Sequence, residues 1–207
     1  MAFPPTWDEV ALVSIYRKGD TTTGELNFGS ITETIEINEG DYPGESISNV
    51  AGGRIWHQMP QEDGEITLEL YPLEMATNTA NAGLFQQWHG VSGNPPAAYD
   101  TTEPLDSDTV WGLGQNRVRD SFRVSILWTN DPAGVTNAAA ATAAATDALR
   151  FYATDCRIIS HKTSFTDKVV KVTVTFKYPA FDKAGTTKIG VWQSGDQTSL
   201  VVLGAYS

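Results

Sequence analysis

The 207-residue sequence is 41% apolar and 19% charged, which places it with folded globular chains and outside the disordered and membrane-spanning classes. Its net charge of −11, from 25 acidic against 14 basic residues, argues against a chain that holds nucleic acid, because a polyanion is repelled by such a surface. Apolar runs are only a few residues long, short of the roughly 20 needed to cross a bilayer.

The start Met1-Ala2-Phe3-Pro4-Pro5 has no basic n-region and no apolar h-region, so no signal peptide is expected. Cys156 is the one cysteine and has no internal disulfide partner, so synthesis in a cytoplasm is the expectation.

In chain order, a strand is predicted over 10–17. Period-two alternation over 31–37 sets Ile31, Ile35 and Ile37 on one face and Thr32, Thr34 and Glu36 on the other. Residues 38–53 are rich in Gly, Asp, Glu, Ser and Asn and predict a long polar loop. A strand over 54–59 follows, and then 65–71, where Ile66, Leu68 and Leu70 alternate with Glu65, Thr67 and Glu69. Leu84, Phe85 and Trp88 recur at helical spacing within 81–89, ahead of Gly90, and predict a short helix. A second long loop is predicted over 91–119.

Beyond it, Phe122, Val124, Ile126 and Trp128 form one face of a strand. The alanine-rich stretch 137–149 predicts a second helix, with Asn137 as its N-cap, or a mobile connection where nothing packs against its small side chains. Strands are predicted over 151–159 and, with Val170, Val172, Val174 and Phe176 interleaved by Lys171, Thr173, Thr175 and Lys177, over 170–177. Short strands at 190–193 and 200–205 complete the set. One buried face and one wet face per strand is the pattern of antiparallel sheets. The expected fold is mainly β: one domain over 1–207, an antiparallel β-sandwich or barrel with one or two short flanking helices.

Chemistry-bearing motifs are missing. His57, His89 and His161 are scattered, with no pair at helical spacing and no nearby cysteine, so no metal site is predicted. Cys156 reads as a small buried group rather than a nucleophile. There is no nucleophile elbow or phosphate loop, and Gly112-Leu113-Gly114 lacks the third glycine of a dinucleotide fingerprint. Asp100, Glu103, Asp106 and Asp108 fit no calcium-loop spacing and read as a solvated loop. Trp56, Trp128 and Trp192 fall in predicted strands, where packing is the commoner use, though tryptophans also build sugar platforms. No catalytic residue, cofactor or metal is therefore expected.

The order of segments carries a resemblance. After the polar loop come Gly52-Gly53-Arg54 and Glu62-Asp63-Gly64-Glu65-Ile66-Thr67-Leu68-Glu69-Leu70-Tyr71-Pro72. Later, Ser164-Phe165-Thr166-Asp167 precedes Lys171-Val172-Thr173-Val174-Thr175-Phe176-Lys177-Tyr178-Pro179-Ala180-Phe181-Asp182. Over most of its length the chain resembles the major tail tube proteins of tailed bacterial and archaeal viruses, and the related inner tubes of contractile injection machines.

The resemblance implies a tail-tube-like β fold in a structural virion protein of the viral tail. Hexameric rings would stack into a tube through which DNA passes without specific binding. The implied partners are further copies of the chain, with tape-measure, tail-terminator and baseplate proteins beside them. On that reading Thr32, Thr34, Glu36, Glu65, Thr67 and Glu69 are expected to line an acidic lumen. Gly40, Asp41, Gly44 and Glu45 are expected in a loop that reaches the adjacent ring. Two other classes fit the same strands: a carbohydrate-binding β-sandwich, and a virion decoration, terminator or connector protein.

Overall fold

The structure, a computed structural model, describes residues 10–19, 25–27, 32–70, 120–129, 138–139, 147–166, 169–196 and 198–207. Ten strands run in order: β1 (Val10–Arg17), β2 (Glu25–Asn27), β3 (Thr32–Asn38), β4 (Gly44–Ser48), β5 (Arg54–Gln58), β6 (Gly64–Leu70), β7 (Phe122–Thr129), β8 (Asp147–Thr166), β9 (Val169–Tyr178) and β10 (Gly190–Asp196). Eight of them form one antiparallel sheet in the order β2-β1-β7-β8-β9-β6-β3, with β10 also on β8, while β4 and β5 pair only with each other. Among the described residues there is no helix, and hence none long and apolar enough to cross a membrane.

The sheet curls because β8 serves two halves. Its first part lies between β7 and β10, with Val124 opposite Ala153 and Trp192 opposite Phe151. Its second part, from Arg157 onward, pairs with β9. Two irregularities flank the crossover. Thr154 and Asp155 together oppose Arg123, and Ile159 is extra against β9. An inserted residue bends and twists its strand, which turns β8 from one half into the other. Asp155 takes a left-handed φ of 57°, a conformation that aspartate tolerates better than most residues. Its N–H donates to the Tyr206 hydroxyl at 2.9 Å, and its carboxylate accepts from Ser121 at 2.7 Å.

The two halves close on one core. Val13 and Ile15, Ile66 and Leu68, Val124 and Ile126, Phe151 and Cys156, Val174 and Phe176 all point into it. Phe122 and Phe176 meet edge-on across the halves, with ring centroids 5.9 Å apart. Each such side chain contributes about 1.5–3 kcal/mol by leaving water. Burial in this apolar core pushes the Cys156 thiol up, leaving it un-ionised and unreactive.

Strand β7 is buried on both faces, whereas alternation alone predicts a wet one. Behind it lie Ser14, Arg123, Ser125, Thr129 and Arg150, all buried, covered by residues 138–139 and the C-terminal segment. Fully buried Arg150 donates to Gln193, to the carbonyls of Ala138 and Ala139, and to Val201. Arg123 donates at 2.6 Å to the Gly204 carbonyl and at 2.6 Å to Glu25. Burial pushes the Glu25 carboxyl above its ordinary range, against the pull of Arg123.

This polar layer explains two corrections. Of the helix expected over 137–149, residues 138–139 form a turn and 147–149 belong to β8, while 137 and 140–146 lie outside the described residues. Arg150 takes the carbonyls of Ala138 and Ala139, which a helix would use internally, and Ala138 N–H donates to Ser14 at 2.9 Å. The strand expected over 200–205 forms no ladder. There, Arg150 and Arg123 bind the carbonyls of Val201 and Gly204, and Leu203 N–H donates to Ala139. The helix expected over 81–89 and the loop over 91–119 lie outside the described residues.

Candidate functional site

Two features stand out from the curled sheet: a projecting hairpin and a broad polar face. The first strand and the turn of the hairpin lie in the segment expected as a polar loop over 38–53, and its second strand is the one expected over 54–59. Ser46 pairs with Trp56 and Ile47 with Ile55, around a turn in which Asn49 N–H donates to the Gly53 carbonyl and Gly53 N–H to Asn49 Oδ1 at 2.7 Å. Gly52, at φ 80°, supplies the left-handed residue of that turn. The signal was present in the sequence. Ser46-Ile47-Ser48 and Arg54-Ile55-Trp56 flank Asn49-Val50-Ala51-Gly52-Gly53, a five-residue connection with glycines, which is a hairpin pattern. The polar composition of 38–53 obscured it.

Both hairpin faces are in solvent. Ile47 is 49% exposed, Ile55 60% and Trp56 62%, with Tyr42 and Val50 also exposed. Ile47 and Ile55 share one face, and Trp56 lies on the other, over Gly44. An isolated two-stranded hairpin is marginal in water.

Its stem, however, is fixed. Trp192 Nε1–H donates to Glu39 at 2.8 Å, Gln61 donates to the Glu39 carbonyl at 2.7 Å, and Met59 N–H donates to Pro43 at 2.9 Å. Trp192 in turn stacks on Trp128, with centroids 5.7 Å apart. Gly40 has φ 83°, and a β-carbon there would collide with the Glu62 carbonyl. We expect Gly40→Ala to cost about 2 kcal/mol in urea unfolding and to raise amide exchange through β4 and β5. Of the residues predicted for an inter-ring loop, Gly40 and Asp41 belong to this stem, and Gly44 and Glu45 open β4.

The polar face belongs to β3, β6, β9 and the second part of β8. Register brings the expected set together: Thr34 lies opposite Glu69, Glu36 opposite Thr67, and Asn38 opposite Glu65. Thr32, at the start of β3, precedes the bulge there, and its backbone pairs with Leu70. The same face continues through Glu65 opposite Lys177, Thr67 opposite Thr175 and Glu69 opposite Thr173. It then reaches β8, with Arg157 opposite Lys177, Lys162 opposite Thr173 and Ser164 opposite Lys171.

Glu36, Glu65 and Glu69 therefore share their face with Arg157, Lys162, Lys171 and Lys177, so among the described residues the face is not acidic in balance. Lys171 stands 3.7 Å from Glu69, and Lys177 stands 3.8 Å from Asp63. Stem and face meet in an open cleft lined by Asp41, Glu62, Asp63, Glu65 and Lys177. Among the described residues, no three His, Cys, Asp or Glu side chains gather as a metal site.

No family model matches the chain, and no curated protein matches it. Solved structures do. The chain is similar to a component of the sheath/tube terminator of an extracellular contractile injection system, at 11% identity and TM-score 0.49, covering 93% of this chain and 99% of that one. It is also similar to a chain of the anti-feeding prophage baseplate, solved with six-fold symmetrisation, at 11% identity and TM-score 0.48, covering 97% and 100%. A crystal structure of an Hcp protein aligns at 10% identity and TM-score 0.35, covering 91% and 99%.

Proposed function

We propose that the chain is a structural subunit that assembles with copies of itself into stacked six-fold rings, forming the tube of a viral tail or a related injection machine. One observation carries this reading: the apolar β4–β5 hairpin stands in solvent on both faces, while its stem is latched to the sheet. A rigid arm tipped with Ile47, Ile55 and Trp56 is suited to burial against another protein, and a large exposed apolar surface marks an interaction site. The segment order that resembles tail tube proteins makes a further copy the natural recipient, in the adjacent ring.

In this reading the polar face with Thr34, Glu36, Glu65, Thr67 and Glu69 is the channel wall, and Thr32, which pairs with Leu70 before the β3 bulge, is not counted in it. Its cations lie on β8 and β9 and its glutamates on β6 and β3, with Lys171 and Lys177 already beside Glu69 and Asp63, so the charges of the face nearly balance and leave little to hold DNA. DNA passes without being held. Tape-measure, terminator and baseplate proteins would meet the tube at its lumen and ends.

The test is negative-stain microscopy and mass photometry of the purified chain across a concentration series. Six-fold rings or tubes are expected as concentration rises. Monomers alone at millimolar concentration would overturn the proposal.

A further inference from the structure

Across β8, β9, β6 and β3 the charges of the polar face are sorted rather than mixed. Arg157 and Lys162 lie on β8, Lys171 and Lys177 on β9, Glu65 and Glu69 on β6, and Glu36 on β3. The inner pairs compensate one another, as between Lys171 and Glu69. That leaves opposite charges at the two margins. Glu36 on β3 and Lys162 on β8 are both exposed, and neither has an ion-pair partner among the described residues. Along these margins, among the described residues, no strand hydrogen-bonds to the outer edge of β3 or to the edge of β8 from Arg157 onward opposite β9. β1 comes near β3 without bonding to it.

We infer that these two margins meet between copies: the acidic β3 margin of one subunit lies along the basic β8 margin of the next, with Glu36 facing Lys162. The partner is a second copy of this chain, and the argument is charge complementarity together with strand direction. In the order β8-β9-β6-β3 every neighbour is antiparallel, so β3 runs opposite to β8. A copy set beside β3 through its β8 margin continues the antiparallel alternation.

Glu36 is level with Ser160, one pleat repeat from Lys162. That offset is roughly 7 Å along the strand, within reach of a lysine and in keeping with strands that tilt in a closed ring. A contact joining two different margins is head-to-tail, and such contacts close into rings when the rotation divides the circle. Like margins repel, so the same charges disfavour a two-fold dimer.

This inference rests on the self-assembly reading and names the contact within a ring. Its test is a charge exchange, Glu36→Lys and Lys162→Glu singly and together, read by mass photometry at low salt with melting curves to certify the folded monomer. Each single variant is expected to lower ring yield at least tenfold, because a ring repeats the contact at every subunit, and the double variant to return it to within twofold of the parent. Rising salt should shrink the differences. Single variants that assemble like the parent, or a double variant no better than either single, would overturn this contact while leaving self-assembly standing. A parent chain that never forms rings would remove both.

Discussion

Arg150→Ala is expected to lower the free energy of unfolding by about 2–4 kcal/mol and to free the C-terminal segment. The guanidinium is fully buried, and among the described residues its bonds go to neutral oxygens on Gln193, Ala138, Ala139 and Val201. Burial pulls its pKa below the ordinary arginine range. Truncation removes that desolvation penalty, but it orphans the buried carbonyls of Ala138 and Ala139 and opens a cavity. Each orphaned acceptor costs about 1–3 kcal/mol, so the loss outweighs the relief. Urea unfolding measures the first effect. Faster amide exchange over Val202–Tyr206 measures the second, and unchanged exchange there would show that Arg150 does not hold the segment.

The double variant Ile47→Ser, Ile55→Ser is expected to separate folding from assembly. Both side chains are exposed in the single subunit, so the melting temperature should stay close to the parent value, as surface substitutions usually allow. Assembly should suffer heavily. Burying two isoleucines contributes about 1.5–3 kcal/mol each, so the concentration for half-assembly should rise at least ~100-fold. Sedimentation velocity across a dilution series reads the change. Normal assembly by this variant would take the hairpin out of the contact.

Much of the sheet was legible because period two is a strong signal where one face is wet. Val172, Val174 and Phe176 against Lys171, Thr173, Thr175 and Lys177 mark β9 almost residue by residue, and β1 spans the predicted 10–17. Legibility failed where side chains satisfy backbone groups from a distance. Nothing near Ala138 in sequence reveals that Ser14 and Arg150 will claim its amide and carbonyl. Nothing near Val201 shows why a strand-like run pairs with no strand. The length of β8 was missed at both ends: residues 147–149 were assigned to the alanine-rich helix, and the expected strand stops at Ile159, where an extra residue breaks the alternation.

The polar face was half legible. Thr34, Glu36, Glu65, Thr67 and Glu69 do share one surface, as pleating dictates. Its charge balance was not readable, because Arg157 and Lys162 join that surface only through long-range register.

The bent β8 also bears on how the subunit carries load. A single covalent strand threads both halves of the sheet, so tension applied to one half passes along a peptide backbone rather than across a packed seam. Pulling β8 lengthwise would shear its ladders to β7, β10 and β9, loading many hydrogen bonds at once instead of unzipping them in turn. A subunit built around such a spar resists lengthwise load as one unit rather than parting at a seam between its halves.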